Sequence, residues 1–251
     1  MTPEPLSAME PEPKGMGEFS RLTGVFFEPS KTFEDIAARP NFWVPLILAI
    51  VVGTIMLMLF AQHVGWERML RHQFEISPRT QQMPADQREA ALQMQLKFMP
   101  VVTYAGPLIG TPLTYLIWSL LLFGIVKGIM SAPVKYKQVF AAVCYGSLPG
   151  VIFALLCIVV MFTKNPDDFN LSNPLVFNPG AFMDPVSSPK FAYSLASSLD
   201  LFTLWTLILI GLGLKGAGGR KFATGSAMTA VFLPWVIWTL GKAALAGVLG
   251  G

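Results

Sequence analysis

Residues 42–63 read FWVPLILAIVVGTIMLMLFAQH and contain no Asp, Glu, Lys or Arg. A helix rises 1.5 Å per residue, so about 20 apolar residues cross a hydrocarbon core about 30 Å thick. Trp43 stands at the start, where an amphipathic indole suits the membrane–water interface. Pro45 falls in the first turn, where its missing N–H costs no helical bond. The stretch therefore reads as a membrane span. Similar apolar runs follow at residues 101–129, 139–162, 195–214 and 222–249. Pro107 and Pro112 interrupt the second near its start, and Pro149 and Pro234 fall inside the third and fifth, where a kink is expected. The predicted fold class is all-α, a polytopic membrane helix bundle with five transmembrane helices over residues 42–250.

Composition agrees. The 251 residues are 53% hydrophobic and only 13% charged, against about 25% charged in soluble domains. The mean hydropathy is +0.54. So few charges cannot clothe a water-facing surface, which argues against a soluble enzyme. The net charge of +3 fits basic cytoplasmic loops. Lys and Arg form no cluster interleaved with aromatics, so no nucleic-acid partner is expected. Cys144 and Cys157 share one apolar run, about 20 Å apart along a helix, and read as buried apolar residues.

Residues 1–18 are rich in Pro and Glu and read as a disordered tail. They lack a cleavable signal pattern, so the first apolar run is expected to act as an uncleaved anchor. Residues 19–41 are expected to form a cytoplasmic juxtamembrane amphipathic segment. Pro29 and Pro40 bracket a short helix there, with Thr32 and Asp35 as a capping box. Phe26, Phe27, Phe33 and Ile36 would face the membrane surface or a partner. Residues 64–99 are polar and helical in pattern. Glu67, Arg71 and Glu75 form an i,i+4 ladder, and Ala91, Met94 and Phe98 share one face.

The two short turns between spans two and three and between spans four and five are both basic, with Lys127, Lys135 and Lys137 in one and Lys215, Arg220 and Lys221 in the other. Short loops carry the orientation signal. The N-terminus and both turns are placed in the cytoplasm and the C-terminus outside. Lys135, Lys137, Lys215, Arg220 and Lys221 are candidate contacts for anionic lipid. The two hairpins also share glycines, a basic turn and a Leu-Pro, a weak parallel repeat.

Asp200 opens span four. It reads either as a helix cap, which the helix dipole favours, or as an intramembrane polar site with Lys242 or Lys127 as partner. His63 and Glu67 lie one turn apart but lack a third metal ligand. Asp167, Asp168 and Asn170 do not follow calcium-loop spacing, and Asn170-Leu171-Ser172 is a sequon that matters only in a eukaryotic secretory setting. No motif of nucleophilic, phosphate-binding or dinucleotide chemistry occurs. No enzymatic activity, metal or cofactor is expected.

The pattern Phe27-x-Pro29-x3-Phe33-x2-Ile36-x3-Pro40-x4-Pro45 resembles the opening of the Yip family of five-span membrane proteins. VFAAVCYGSLPG (139–150) and Asp200-Leu201-Phe202-Thr203-Leu204-Trp205, followed by Gly211-Leu212-Gly213, are similar to it as well. The likeness covers about residues 25–245, and the loop ending in residues 78–93 and the segment 165–175 look like a bacterial branch. The resemblance implies a multi-pass protein, of the inner membrane if bacterial. Eukaryotic members are linked through a cytoplasmic N-terminal region to Rab-type GTPases and vesicle traffic. That region is only about 41 residues here, and GTPase binding is not expected of a bacterial member. The family implies no catalytic residues. The expected function is a scaffold or partner-binding role in trafficking or membrane organisation. Its partners would be the bilayer and another membrane protein or a second copy. The alternative is a small transporter or channel that uses a polar site near Asp200.

Overall fold

The computed structural model describes residues 15–166, 169, 173–184 and 187–249. No strand occurs among the described residues. The helices are α1 (Glu18–Phe27), α2 (Pro29–Ala38), α3 (Trp43–His63), α4 (Trp66–Ile76), α5 (Pro78–Gln81), α6 (Ala85–Ala105), α7 (Thr111–Phe123), α8 (Tyr136–Gly146), α9 (Leu148–Thr163), α10 (Lys190–Ser198), α11 (Leu201–Gly218) and α12 (Thr224–Leu249). Five stretches are long and apolar enough to cross a membrane: Trp43–His63, Ala85–Ile129, Tyr136–Thr163, Leu201–Gly218 and Thr224–Val248. The all-α five-span architecture is thus the observed one.

The prolines act differently from expectation. Span two is one continuous helical rod of 45 residues from Ala85. Pro107 sits in a π-helical turn, Gly106–Gly110, which absorbs the lost donor without breaking the rod. Span three breaks before Pro149: the chain bends at Ser147, and Pro149 occupies the first turn of α9. Pro234 lies inside unbroken α12. The two hairpins therefore do not repeat each other at their prolines. Span four begins at Leu201, because residues 190–198 form the separate helix α10, which packs on α12.

Outside the spans, Arg71 bonds Glu67 at 2.8 Å, as the ladder predicts. Its second acid is Glu89 of α6 at 3.1 Å rather than Glu75. Leu92, with Leu96 and Met99, packs on Leu70 and Phe74 of α4, while Met94 and Phe98 of the expected face are exposed.

Helix α11 is the hub, packed on α2, α8, α9 and α12. Two glycines set the distances on one side. A Cβ at Gly213 would lie 2.7 Å from the Ala142 Cβ, and one at Gly216 would lie 2.9 Å from the Phe33 carbonyl carbon and oxygen. Small residues let backbones approach closely where lipid supplies no hydrophobic drive between helices.

The largest departure concerns residues 19–41. They form a helical hairpin, α1–α2, wedged against α8 and α11 rather than lying on a surface. Phe33 and Ile36 are each 1% exposed, in a cluster with Val52, Ala141 and Leu209. They are core residues and offer no face to a partner. Phe26 packs edge-on to Trp205 with ring centroids 5.4 Å apart. Phe27, at the hairpin tip, is 85% exposed. The Thr32–Asp35 capping box does not form. The helix starts at Pro29, so Thr32 lies inside it and donates to the Glu28 carbonyl at 2.9 Å. The tail also ends earlier than expected, since Glu18 belongs to α1. Residues 1–14 lie outside the described residues.

A polar network closes the hairpin. Arg21, 3% exposed, donates from Nε to Asp35 Oδ2 at 2.8 Å. Asp35 also accepts from Arg39 and from the Met16 N–H. Glu18 accepts from Arg21, from Asn41 Nδ2 at 2.9 Å and from the Tyr145 hydroxyl at 2.5 Å. Burial pushes the Asp35 carboxyl up, but the bonds from Arg21, Met16 and Arg39 outweigh it and hold the group below its ordinary value of 3.8. A depressed carboxyl stabilises the fold above its unfolded-state value and loses that contribution as pH falls through the folded one. The hairpin is therefore latched at neutral pH and loosens only in strong acid.

Two outcomes are expected. Gly216→Ala should lower stability by about 1–3 kcal/mol, because the added methyl meets backbone that cannot yield. Gly225→Ala, with open space at its Cβ position, should not, and thermal unfolding in detergent compares the two. Arg21→Met leaves half-buried Asp35 with only Arg39 and the Met16 N–H as partners and should cost about 1–3 kcal/mol. A cysteine at the buried position Thr32 should then react with maleimide faster than in the parent.

Candidate functional site

Two groups of polar side chains stand at opposite ends of α11. At its C-terminal end the two basic turns meet. Ala132 and Val134 of one turn pack with Phe222 of the other over Val126, Val139 and Ala217, and Ala37 of the hairpin joins them. Gln138 Nε2 ties α2 to this end through the Ala37 carbonyl at 2.9 Å. Lys215 is used locally, its Nζ donating to the Gly219 carbonyl at 2.6 Å and satisfying a C-terminal acceptor of α11. Lys127, Lys135, Lys137, Arg220 and Lys221 are exposed. None forms an ion pair with an acid among the described residues. Packing of the turns thus gathers five cations from two segments far apart in sequence.

At the other end, Asp200 is the N-cap of α11. Its Oδ1 accepts from the Phe202 N–H at 2.9 Å and the Thr203 N–H at 3.1 Å. The same carboxylate lines a cavity of about 420 Å³ bounded by spans two to five, α10 and the loop 173–178. Cap and cavity wall are therefore one residue. The expected partners are elsewhere. Lys127 sits at the basic end, about 27 Å away along α11, and Lys242 is exposed on α12. Asp200 forms no ion pair among the described residues.

The rest of the wall was not visible in the sequence. Asn178 of the loop and Ser197 of α10 line the same cavity, together with Thr206, Trp118 and Trp235. The Ser197 hydroxyl oxygen is buried and has no hydrogen-bond partner among the described residues. These residues come from five elements with no shared motif. Only Asp200 carried a signal, an acid at the head of an apolar run. Phe153, Phe177 and Phe202 form an aromatic cluster beside it, with centroids 5.5 Å apart in both edge-on pairs. Asp167, Asp168 and Asn170, with the sequon, lie outside the described residues. His63 stacks on Phe162 at 4.6 Å, and among the described residues no three His, Cys, Asp or Glu side chains converge.

Comparison with known proteins agrees with this layout. The Yip1 domain matches residues 23–245, a span that takes in most of the hairpin, the first four membrane stretches, most of the fifth and the cavity. The membrane protein YknW of Bacillus subtilis (strain 168) is 26% identical over 204 residues, 81% of each chain. No solved structure matches the chain. A match over nearly the whole sequence, from the second turn of α1 to the last turns of α12, makes this multi-pass membrane protein a member of the Yip1 domain family.

Proposed function

We propose that this protein is a non-enzymatic scaffold of the bacterial inner membrane that docks another membrane protein, or a second copy of itself, at its basic end. Its role would lie in membrane organisation or trafficking. The observation that carries the reading is the convergence of Lys135, Lys137, Arg220 and Lys221 from two turns beside the α1–α2 hairpin. The positive-inside bias supports an orientation with this end and the N-terminus in the cytoplasm and the C-terminus outside. Cations at a membrane surface favour anionic headgroups by about 1 kcal/mol each, which would seat this end among acidic lipids, while exposed Phe27, at the hairpin tip about 20 Å of helix deeper beside the Phe26–Trp205 contact, would meet the membrane-embedded apolar surface of the partner.

A photocrosslinker at Phe27 should give a discrete protein adduct in native membranes. The adduct should disappear when Lys135, Lys137, Arg220 and Lys221 are all changed to Ser, while a crosslinker at lipid-facing Leu116 should give none. Adducts with lipid alone would sink the scaffold reading. A cysteine at exposed Pro133 should react with an impermeant maleimide only after the membrane is opened. Labelling in intact cells would reverse the orientation.

A further inference from the structure

The cavity at Asp200 carries a carboxylate and, among the described residues, no Lys, Arg or His on its wall. The α11 N-terminus offsets only about half of that charge. Asp200 Oδ1 is taken by the two backbone N–H groups, and Oδ2 accepts nothing among the described residues. Charge in a largely apolar cavity is costly unless it is paired. The volume lies within the range of about 300–1,000 Å³ typical of small-molecule sites. An anion would be repelled, and a neutral occupant would leave the charge unmatched. A hard divalent ion wants six or more oxygens, whereas Asp200 is the one acid lining the space among the described residues.

Polarity along the cavity is ordered. Asp200, Asn178 and the Phe153–Phe202 pair stand at the end away from the basic turns. Leu207, Val231, Trp118 and Trp235 line the part toward the middle of the spans. Helix α12 meets span two chiefly at residues 124–129, near the basic end, so the two helices part toward the Asp200 end. We propose that this cleft binds an ammonium-bearing amphiphile. The cationic head would pair with Asp200 against the faces of Phe153 and Phe202, and the apolar body would lie between Trp118 and Trp235. This matches the head-to-tail polarity of one bilayer leaflet. Two sources share the chemistry: a lipid with an amine headgroup and a soluble alkylammonium. The site is independent of docking at the basic end.

The test uses the full chain in phosphatidylglycerol nanodiscs, with hexyltrimethylammonium, hexanol and hexyl sulfate as probes. Saturable thermal stabilisation by the cation alone is expected. Asp200→Asn keeps an equally good helix cap and should weaken binding about tenfold or more, as loss of the opposite charge facing the cation implies. Trp235→Leu keeps the carboxylate and should weaken binding about threefold to tenfold; it decides the matter if Asp200→Asn fails to fold. After reconstitution in equal phosphatidylethanolamine and phosphatidylglycerol, mass spectrometry of the intact protein separates the sources. Selective retention of the amine lipid, lost in Asp200→Asn, assigns a lipid head. Cation binding without lipid selectivity assigns a soluble amphiphile. Unchanged affinity in the folded variants, equal stabilisation by hexyl sulfate or hexanol, or neither binding nor retention overturns the proposal.

Discussion

Close approach of helix backbones at α11 is the constraint from which the rest of this structure follows. Lipid tails are as apolar as leucine, so burying leucine between helices gains little; contact area and geometry must hold the bundle. α11 meets this with small residues pointing in different directions. Gly211 faces Met228 of α12, Gly213 faces Ala142 of α8 and the Phe33 ring, and Gly216 faces the backbone of α2. Gly146 of α8 lies against the backbone of Ile210 in return. Half of the most apolar window of α11 is buried, against 17% for α12 and span two.

The hairpin depends on the same constraint. α2 sits against α11 only because Gly213 and Gly216 leave room for Phe33, and the α1–α2 pair then covers surface that would otherwise meet lipid. This location explains the polar network. An arginine taken out of water needs every donor used, and Arg21 reaches Asp35, Glu18 and the Asp35 carbonyl. Tyr145 of α8 completes Glu18. The network therefore fixes the hairpin against span three, where apolar contact alone would allow it to slide.

The spans were legible because length and absence of charge suffice to mark them. Asp200 was legible as a cap for an equally local reason, since an N-cap acid satisfies two donors within three residues of itself. The hairpin was not. Phe33 and Ile36 at helical spacing declare an apolar face, but an amphipathic period is the same whether that face meets headgroups or Gly216. Phe27 and Phe33 look alike in sequence and end 85% and 1% exposed. The prolines misled for a related reason. Pro149 predicts a distorted helix, yet whether the chain bends before it or through it depends on the Gly146–Ile210 contact, which is made across 64 positions. The cavity was legible at one residue only, because its walls come from elements that acquire a common meaning once packed.

α11 also orders the charges. Its peptide dipoles place partial positive charge at Leu201 and partial negative charge at Gly218. The residues that close it answer each end: Asp200 accepts from the first free N–H groups, and Lys215 donates to the Gly219 carbonyl. The acid in the cavity and the cations in the turns are thus the extensions of one helix's terminal chemistry. A bare carboxylate at that end would be costly if capping were its whole use, since a serine or asparagine caps as well and brings no charge. A full charge facing a cavity is an arrangement that a cationic ligand completes.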